Sequence, residues 1–471
     1  MSAVPSGGLG RAAIYATLAT VLERLVALGI ALYLPRHLPL DDFGRYAFVL
    51  AFFSLFQVLP DLGLESVLVT RLASAGSDRM SLAGRGAFVR LVVAVTGACA
   101  GLLVLALTAD DPILLRAGAV WAIGLTVTAS NPYRALLRAE HRFAGYLLLV
   151  AGQATVALLG LALVLRTGGG LLAVVCAVAA GPPMGVVIGR LVRGAGARLR
   201  VDGALLRGLV AQAWPLAGST LAFFGAQQLV LLLLVRVHGA GAMGLFGGAQ
   251  KLVEAANLLP QALMLSVLPA LAAAPDTAIR TARDVARLLA VVLVPVALGL
   301  ALFAEPVLVT ILGDRLAAAA PVLRVYAVVA VLGASGALVT NLLVVDGRQR
   351  ILLAMTSVSA LVLVVLGVLL VPAYGAIGAA VTIVVGTLAG QLGLLAVPAT
   401  RPAAAAVLRA SLRPLAVGAV AACAATLLTS PVAGALVLAV VYAAGLVLSG
   451  TVTGHDVRRW LGAQSVPNSL R

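Results

Sequence analysis

Long apolar segments alternate with short polar segments along almost the whole chain. Each apolar segment holds about 20 residues, the length that an α-helix needs to cross a hydrocarbon layer ~30 Å thick. Strands of a membrane β-barrel would alternate apolar and polar residues, whereas runs such as LVLVVLGVLLV do not alternate. The pattern predicts an all-α polytopic membrane protein with fourteen spans, near residues 12–34, 44–70, 88–108, 113–136, 143–165, 169–189, 208–235, 243–270, 286–304, 317–344, 351–371, 374–397, 411–429 and 431–450.

Polar side chains follow one face of the eighth predicted span. Gln250, Glu254, Asn257 and Gln261 recur at i, i+4, i+7 and i+11, the spacing of one helix face, inside a segment that is otherwise apolar. Polar and charged groups inside a membrane span face a bundle interior or a water-filled cavity. This face is therefore predicted to meet water or a polar ligand.

The same design occurs once before, 200 positions earlier in the chain. The second predicted span shares with the eighth a glycine followed by an aromatic residue at its start, a polar stripe and a proline inside the span. A step of 200 positions pairs Gly44, Tyr46, Gln57, Pro60, Asp61, Ser66 and Ala73 with Gly244, Phe246, Asn257, Pro260, Gln261, Ser266 and Ala273. Six spans separate the copies, so the two lobes share one orientation, as in transporters built from parallel repeats.

This repeat divides the chain into lobes and an appendix. We expect an N-lobe, a basic linker, a C-lobe, a peripheral hairpin of two helices and a terminal tail, over residues 1–195, 196–207, 208–400, 401–453 and 454–471. Repeats of this kind are typical of transporters whose ligand site lies between the two halves.

Composition and charge support membrane insertion. Hydrophobic residues make up 62% of the chain, charged residues 11%, and the mean hydropathy is +1.12. The formal net charge of +16 would suggest nucleic acid binding in a soluble protein, but here the arginines concentrate in alternate loops. Both termini are therefore predicted to be cytoplasmic, with membrane lipids and no nucleic acid as partners, and the first span is expected to be a retained helix.

Several charged side chains fall inside the predicted spans. A charge at the bilayer centre costs about 2.5–3.5 kcal/mol on insertion scales, so each needs a partner or a function. Glu23 and Arg24 lie in the first span, Asp61 in the second, and Lys251, the only lysine of the chain, precedes Glu254 in the eighth. Pairs between Glu23 and Arg24, or between Lys251 and Glu254, would be structural; unpaired, these groups would serve a ligand or an ion.

Signals of enzymatic chemistry are weak. Asp41-Asp42 and Asp110-Asp111 lie in short outer loops without histidine partners, and the four histidines show no metal-ligand spacing. Neither a phosphate-binding loop nor a disulfide framework is expected, and the three cysteines fall within spans. We predict no cofactor, no metal and no enzymatic activity, with any transport coupled to H⁺ or Na⁺.

Four segments resemble a known family. The entry LPLDDFGRYAFVL, the segment PDLGLESVLVTRLA, its partner GAMGLFGGAQKLVEAANLLPQALMLSVLPALA, and a DGRQR turn are similar to segments of the oligosaccharide flippases of bacterial polysaccharide export. Those belong to the MOP exporter superfamily, which also holds lipid II flippases and multidrug/cation antiporters. The resemblance implies a monomer in the bacterial cytoplasmic membrane, with two six-helix lobes around a cavity that is lined by spans one, two, seven and eight.

The resemblance also implies a substrate and roles for the polar residues. An undecaprenyl-pyrophosphate-linked oligosaccharide would cross by alternating access, and a glycan polymerase would be a further partner. We expect Arg24 and Lys251 to bind the diphosphate, Gln57, Gln250, Asn257 and Gln261 to bind sugar hydroxyls, and Glu254, Asp61 or Glu23 to carry the coupling ion. A lipid II flippase, a cation-coupled multidrug antiporter and a membrane glycosyltransferase or polymerase remain the alternatives.

Overall fold

A computed structural model describes residues 6–58, 72, 79–109, 111–194, 203–258, 260, 261, 263, 275–428 and 430–451. Within these residues every regular element is a helix. The first half contains α1 Ser6–His37, α2 Leu40–Val58, α3 Arg79–Thr108, α4 Pro112–Ala129, α5 Tyr133–Ala139, α6 Phe143–Arg166, α7 Leu171–Ala179 and α8 Gly181–Arg193. The predicted all-α fold class is confirmed.

The second half repeats this pattern and adds two helices. It contains α9 Gly203–Ala256, α10 Pro275–Leu302, α11 Ala304–Leu312, a 3₁₀ helix Asp314–Ala319, α12 Ala320–Tyr326, α13 Val328–Val345, α14 Gln349–Ala396, α15 Arg401–Thr426 and α16 Pro431–Leu448. The described helices α3 and α10 begin before the apolar runs at 88 and 286 that predicted them, because polar residues can continue a helix beyond the apolar layer.

Two of these helices are each two spans joined at a glycine. α9 has 54 residues and α14 has 48, so as straight helices they would measure roughly 80 and 70 Å, more than twice the bilayer core. Each breaks where a glycine has positive φ, Gly239 at 79° and Gly375 at 56°. This backbone conformation favours glycine because other residues have a Cβ that clashes there. We name the parts α9a (203–238), α9b (240–256), α14a (349–374) and α14b (376–396).

The protein is a multi-pass membrane protein. Ten helices in the described part of the chain are long and apolar enough to cross a membrane, or eleven if a bent pair counts as one span. This count takes α9 and α14 once each. It does not include α2, Leu40–Val58. The number of fourteen spans stays a prediction.

The two halves meet along α2 and α9b. The end of the bundle that holds the breaks at Gly239 and Gly375 is the predicted outer end. There, a Cβ on Gly44 would lie 2.8 Å from the backbone N of Gly244, and a Cβ on Gly244 would lie 2.7 Å from the carbonyl O of Leu40. Only glycine permits backbones to approach this closely. The two residues that the repeat pairs therefore lie against each other.

The C-terminal helices α15 and α16 pack on the outside of the second lobe. Their buried residues Ala421, Ala425, Leu438 and Leu446 form a core cluster with residues of α10. The Tyr442 hydroxyl donates to the carbonyl O of Ala290 at 3.4 Å. This position agrees with a peripheral hairpin, while the exact domain limits stay predictions.

Candidate functional site

A cavity of about 730 Å³ lies between the two lobes. Its walls come from α1, α2, α4, α6, α7 and α8 on one side and from α9, together with Leu258 and Gln261, on the other. Most of the lining is apolar or aromatic. The charged side chains, the carboxamides and the one serine of the described lining are Glu23, Arg24, Ser54, Gln153, Lys251, Glu254 and Gln261. A largely apolar cavity with a few converging polar groups is the usual form of a ligand site.

Five of the nine predicted site residues line this cavity. Glu23 and Arg24 come from the N-lobe, whereas Lys251, Glu254 and Gln261 come from the C-lobe. The other four predicted residues are placed differently. Gln57, Gln250 and Asn257 are described but are not part of the cavity lining, and Asp61 lies outside the described residues.

The cavity-lining face of the eighth span is rotated from the predicted stripe. The residues that line the cavity are 251, 254, 255, 258 and 261. Gln250 and Asn257 are seven positions apart and so lie above one another, at the edge of this face. The polar pattern identified the correct helix, but polarity alone does not separate a face that meets the cavity from its flank.

Lys251 and Glu254 form an ion pair inside the cavity wall. The Lys251 Nζ lies 2.7 Å from the Glu254 Oε2. The lysine side chain is 14% exposed and the glutamate side chain 48% exposed. The i, i+3 spacing on one helix brings these groups together, as the pairing alternative predicted. The carboxylate therefore compensates the lysine charge in this conformation.

Glu23 pairs across helices rather than with its neighbour Arg24. The Arg134 Nη2 of α5 donates to the two carboxylate oxygens of Glu23 at 2.9 and 3.1 Å. It also donates to the Tyr146 hydroxyl at 3.3 Å. Arg134 is 16% exposed and lies near the end of the candidate span Pro112–Ala139. The carboxylate and the hydroxyl offset the cost of burying the guanidinium, because both accept hydrogen bonds from it.

Arg24 is the uncompensated cation of the cavity. Its side chain has no hydrogen bond or ion pair with any part of the chain that the structure describes. Its neighbour Glu23 is engaged with Arg134, and the carboxylate of Glu254 is engaged with Lys251. A free guanidinium in a largely apolar cavity is suited to an anionic ligand, since it offers several N–H donors and a permanent charge.

Sequence reasoning missed Gln153 of α6, which lines the same cavity. It also missed Ser54, whose hydroxyl donates to the carbonyl O of Ala51 at 2.6 Å. The aromatic part of the wall includes Tyr46 and Trp121, whose rings meet edge to face at 6.4 Å between centroids. A single glutamine in an apolar helix is a signal that could have identified Gln153 from the sequence.

One aspartate from each of the two Asp-Asp pairs takes part in an ionic cluster at the predicted outer end. The Arg45 Nη1 lies 2.8 Å from the Asp42 Oδ1, and the Arg45 Nε lies 2.6 Å from the Asp111 Oδ2. Asp111 also caps α4 by accepting from the backbone N–H of Ile113 and Leu114. Burial raises the pKa of the Asp111 carboxyl, but the hydrogen bond from Arg45, the backbone N–H groups and the guanidinium charge together hold that pKa below its ordinary value. Asp110 lies outside the described residues.

A family model described as polysaccharide biosynthesis protein matches residues 33–321, more than half of the 471 residues. The chain belongs to this family. The match spans both predicted lobes and includes α2, α9b and the cavity-lining residues Lys251 and Glu254. No curated protein sequence matches this family member significantly.

Solved structures place this polysaccharide biosynthesis protein in a known fold. The lipid II flippase MurJ in an inward closed conformation is similar at a TM-score of 0.69 and 13% identity, over 95% of this chain and 99% of that chain. An inward-facing multidrug resistance MATE transporter of the MOP superfamily is similar at 0.64 and 15% identity, over 84% and 99%. A MOP superfamily transporter from Pyrococcus furiosus is similar at 0.59 and 16% identity, over 85% and 96%. The chain therefore has the fold of these transporters.

Proposed function

We propose that the protein is a flippase that carries an undecaprenyl-pyrophosphate-linked oligosaccharide across the cytoplasmic membrane by alternating access. One observation supports this most directly: the uncompensated cation Arg24 lines a cavity between the lobes of a polysaccharide biosynthesis family member. A diphosphate inside an apolar cavity needs a cation, because the desolvation of its charge is otherwise too costly. The apolar remainder of the lining suits a lipid-linked substrate.

Lys251 supplies a second cation when its partner is neutralised. It faces the cavity from the C-lobe, opposite Arg24 of the N-lobe, and is held by Glu254 at 2.7 Å. A proton or a sodium ion on Glu254 would weaken that pair and free the ammonium for a phosphate oxygen. Coupling of transport to H⁺ or Na⁺ would follow from this exchange of partners, without a bound cofactor.

The proposed placement in the cell follows the arginine distribution. Both termini are cytoplasmic, the membrane is the bacterial cytoplasmic membrane, and the protein works as a monomer that delivers substrate to a glycan polymerase. It forms and breaks no covalent bond of the substrate, so it is a transporter and not an enzyme. The hydroxyl and amide groups of Ser54, Gln153 and Gln261 on the cavity wall are suited to sugars.

Complementation tests this proposal. In a strain that lacks the gene, Arg24→Ala and Lys251→Ala should insert into the membrane but fail to restore surface polysaccharide, while the lipid-linked precursor accumulates on the cytoplasmic face. Arg166→Ala is the matched control, since Arg166 is an exposed arginine at the end of α6. Normal export by both cavity variants would contradict a cationic diphosphate site.

A lipid II flippase is the second candidate, and the likeness to MurJ favours it. It shares the lipid diphosphate with the first candidate, so Arg24 does not separate the two. Expression in a strain depleted of its lipid II flippase separates them. Rescue of growth would assign lipid II, whereas restored surface polysaccharide without rescue would assign the oligosaccharide.

A further inference from the structure

Gln153 carries an amide that no other group of the described structure satisfies. It lies in α6, whose sequence FAGYLLLVAGQATVALLGLALVLR is otherwise almost wholly apolar. Its side chain is half-buried, lines the cavity and has no hydrogen-bond partner among the described residues. The nearby Thr155, in contrast, donates to the carbonyl O of Ala151 at 2.9 Å. An unpaired amide in an apolar region is unfavourable, so Gln153 must meet water or a ligand in the cavity.

The amide of Gln153 lies against a glycine of α8. A Cβ on Gly185 would lie 2.6 Å from the Gln153 Cδ and closer still to its Nε2. A Cβ on Gly181 would lie 3.0 Å from the backbone carbonyl O of Gln153. Both glycines are buried, and Gly181 also lines the cavity. The absence of a side chain at Gly185 leaves the space that the Gln153 side chain occupies, while Gly181 allows α8 to lie close to the backbone of α6.

The chemistry of Gln153 complements that of Arg24. A carboxamide has two N–H donors and a carbonyl acceptor, which is the set that matches a sugar hydroxyl or acetamido group. Arg24 lines the same cavity from α1, and α1 packs along α6. An anionic group and a neutral hydrogen-bonding group can thus be recognised on one wall.

We propose that Gln153 is a specificity-determining residue, which hydrogen-bonds the sugar next to the diphosphate while Arg24 binds the diphosphate itself. This inference rests on the proposed function. It predicts that the protein distinguishes a lipid diphosphate that carries a sugar from one that does not. One neutral hydrogen bond corresponds to about a three- to tenfold difference in affinity.

Binding of two probes to the purified full-length protein tests this inference. The probes are undecaprenyl diphosphate and undecaprenyl diphosphate linked to one N-acetylhexosamine, measured in detergent by native mass spectrometry. Gln153→Leu should weaken binding of the sugar-bearing probe about three- to tenfold and leave binding of undecaprenyl diphosphate unchanged. Arg24→Ala should weaken binding of both probes.

Gly185→Ala is a second variant that keeps the amide but displaces it. The added Cβ would collide with the end of a flexible side chain, so Gln153 should move while the helices stay in place. It should reproduce the loss seen with Gln153→Leu. Thr155→Val on the same helix and Gly299→Ala, where a Cβ meets nothing within 4 Å, are the matched controls.

The outcomes separate this inference from the proposed function. If the wild type binds both probes and Gln153→Leu and Gly185→Ala bind them as the wild type does, the role of Gln153 is overturned and the flippase proposal stands. If the wild type binds neither probe, the proposed function and the inference both fail.

Discussion

Arg36 of the N-lobe donates to backbone carbonyls of the C-lobe, and Arg236 of the C-lobe, 200 positions later, donates to a backbone carbonyl of the N-lobe. Arg36 lies in the last turn of α1. It donates to the carbonyl O of Ile311 at 3.0 Å and to that of Thr310, both in α11. Arg236 near the end of α9a donates to the carbonyl O of Thr108, where α3 of the N-lobe ends. The last carbonyls of a helix lack partners inside the helix and carry partial negative charge, which favours these contacts.

Loss of both arginines should let the lobes separate at the predicted outer end. Each contact is exposed and joins a charged donor to a backbone carbonyl, so we expect each to contribute about 1 kcal/mol. The double variant Arg36→Ala/Arg236→Ala should therefore favour an open outer end. Spin labels on Thr167→Cys and Tyr374→Cys, with Cys99, Cys176 and Cys423 replaced by alanine, report the distance between lobes. The double variant should gain a longer distance component.

Arg166→Ala is the control for this measurement, because Arg166 is exposed at the end of α6 and has no partner in the described part of the chain. An unchanged distance distribution in the double variant would show that the two arginines do not hold the outer end together. The carbonyl O of Leu38, which accepts from Arg315 at 3.0 Å, would then be the contact to examine next.

Gly44→Ala should destabilise the contact between α2 and α9b. The new Cβ would meet backbone atoms of Ala240 and Gly244, which cannot rotate away as a side chain can. Overpacking of this kind costs about 1–3 kcal/mol. We expect a lower melting temperature in detergent, whereas Gly299→Ala, with open space around its Cβ, should keep or slightly raise it. Equal melting temperatures for both variants would mean that the lobes are not closely packed at Gly44.

The ionic cluster of Arg45 and Asp111 should make stability depend on pH in acid. The pKa of Asp111 is lowered in the folded protein, so its contribution is present above the pKa of the unfolded chain and is lost as the pH falls through the folded pKa. Asp111→Asn keeps the cap of α4, because asparagine caps as well as aspartate, and removes the charge.

We expect Asp111→Asn to lower the melting temperature by about 1–3 °C at pH 7 and to reduce its decline between about pH 5 and 3. Asp314→Asn is the control, since Asp314 has no ion-pair partner among the residues described. If the wild type and Asp111→Asn lose stability in parallel as the pH falls, the ion pair contributes nothing to the acid dependence.

Glu23 and Glu254 should respond differently to the loss of their charge. Glu23 compensates the buried Arg134, so Glu23→Gln should cost about 1–2 kcal/mol of stability and leave the pH dependence of transport unchanged. Glu254→Gln should permanently weaken the hold on Lys251 and reduce the response of transport to an imposed H⁺ or Na⁺ gradient. Thermal melting and uptake of the sugar-bearing lipid into proteoliposomes measure the two effects. Coupling that is lost in Glu23→Gln and kept in Glu254→Gln would reverse this assignment.

The sequence allowed the helical fold, the repeat and all four charged residues of the described cavity lining to be predicted, because apolar runs and isolated charges have few interpretations inside a membrane. The pairing of Lys251 with Glu254 was visible as an alternative from their i, i+3 spacing. The partner of Glu23 could not be predicted, since Arg134 is 111 positions away and is one of many arginines in the chain.

Other parts of the site depend on packing between helices, which the sequence of a single helix does not show. The acceptors of Arg36 and Arg236 are backbone carbonyls, which every residue has, so no pattern of side chains predicts them. The place of the Gln153 side chain depends on Gly185, a glycine of a different helix. Leu258 rather than Asn257 lies on the cavity wall, and this depends on how the eighth span packs on its neighbours, among which α2 lies along α9b.

The contact between Gly44 and Gly244 has the form of a homodimer interface within one polypeptide. Gly44 approaches Ala240 while Gly244 approaches Leu40, so each copy of the repeat presents the same surface to the other, as the subunits of a two-fold symmetric dimer do. A chain of half this length with the same surface could pair with a second copy of itself. Joining the copies in one chain allows their cavity walls to differ, so that Arg24 and Lys251 stand on opposite sides without a counterpart at the equivalent position.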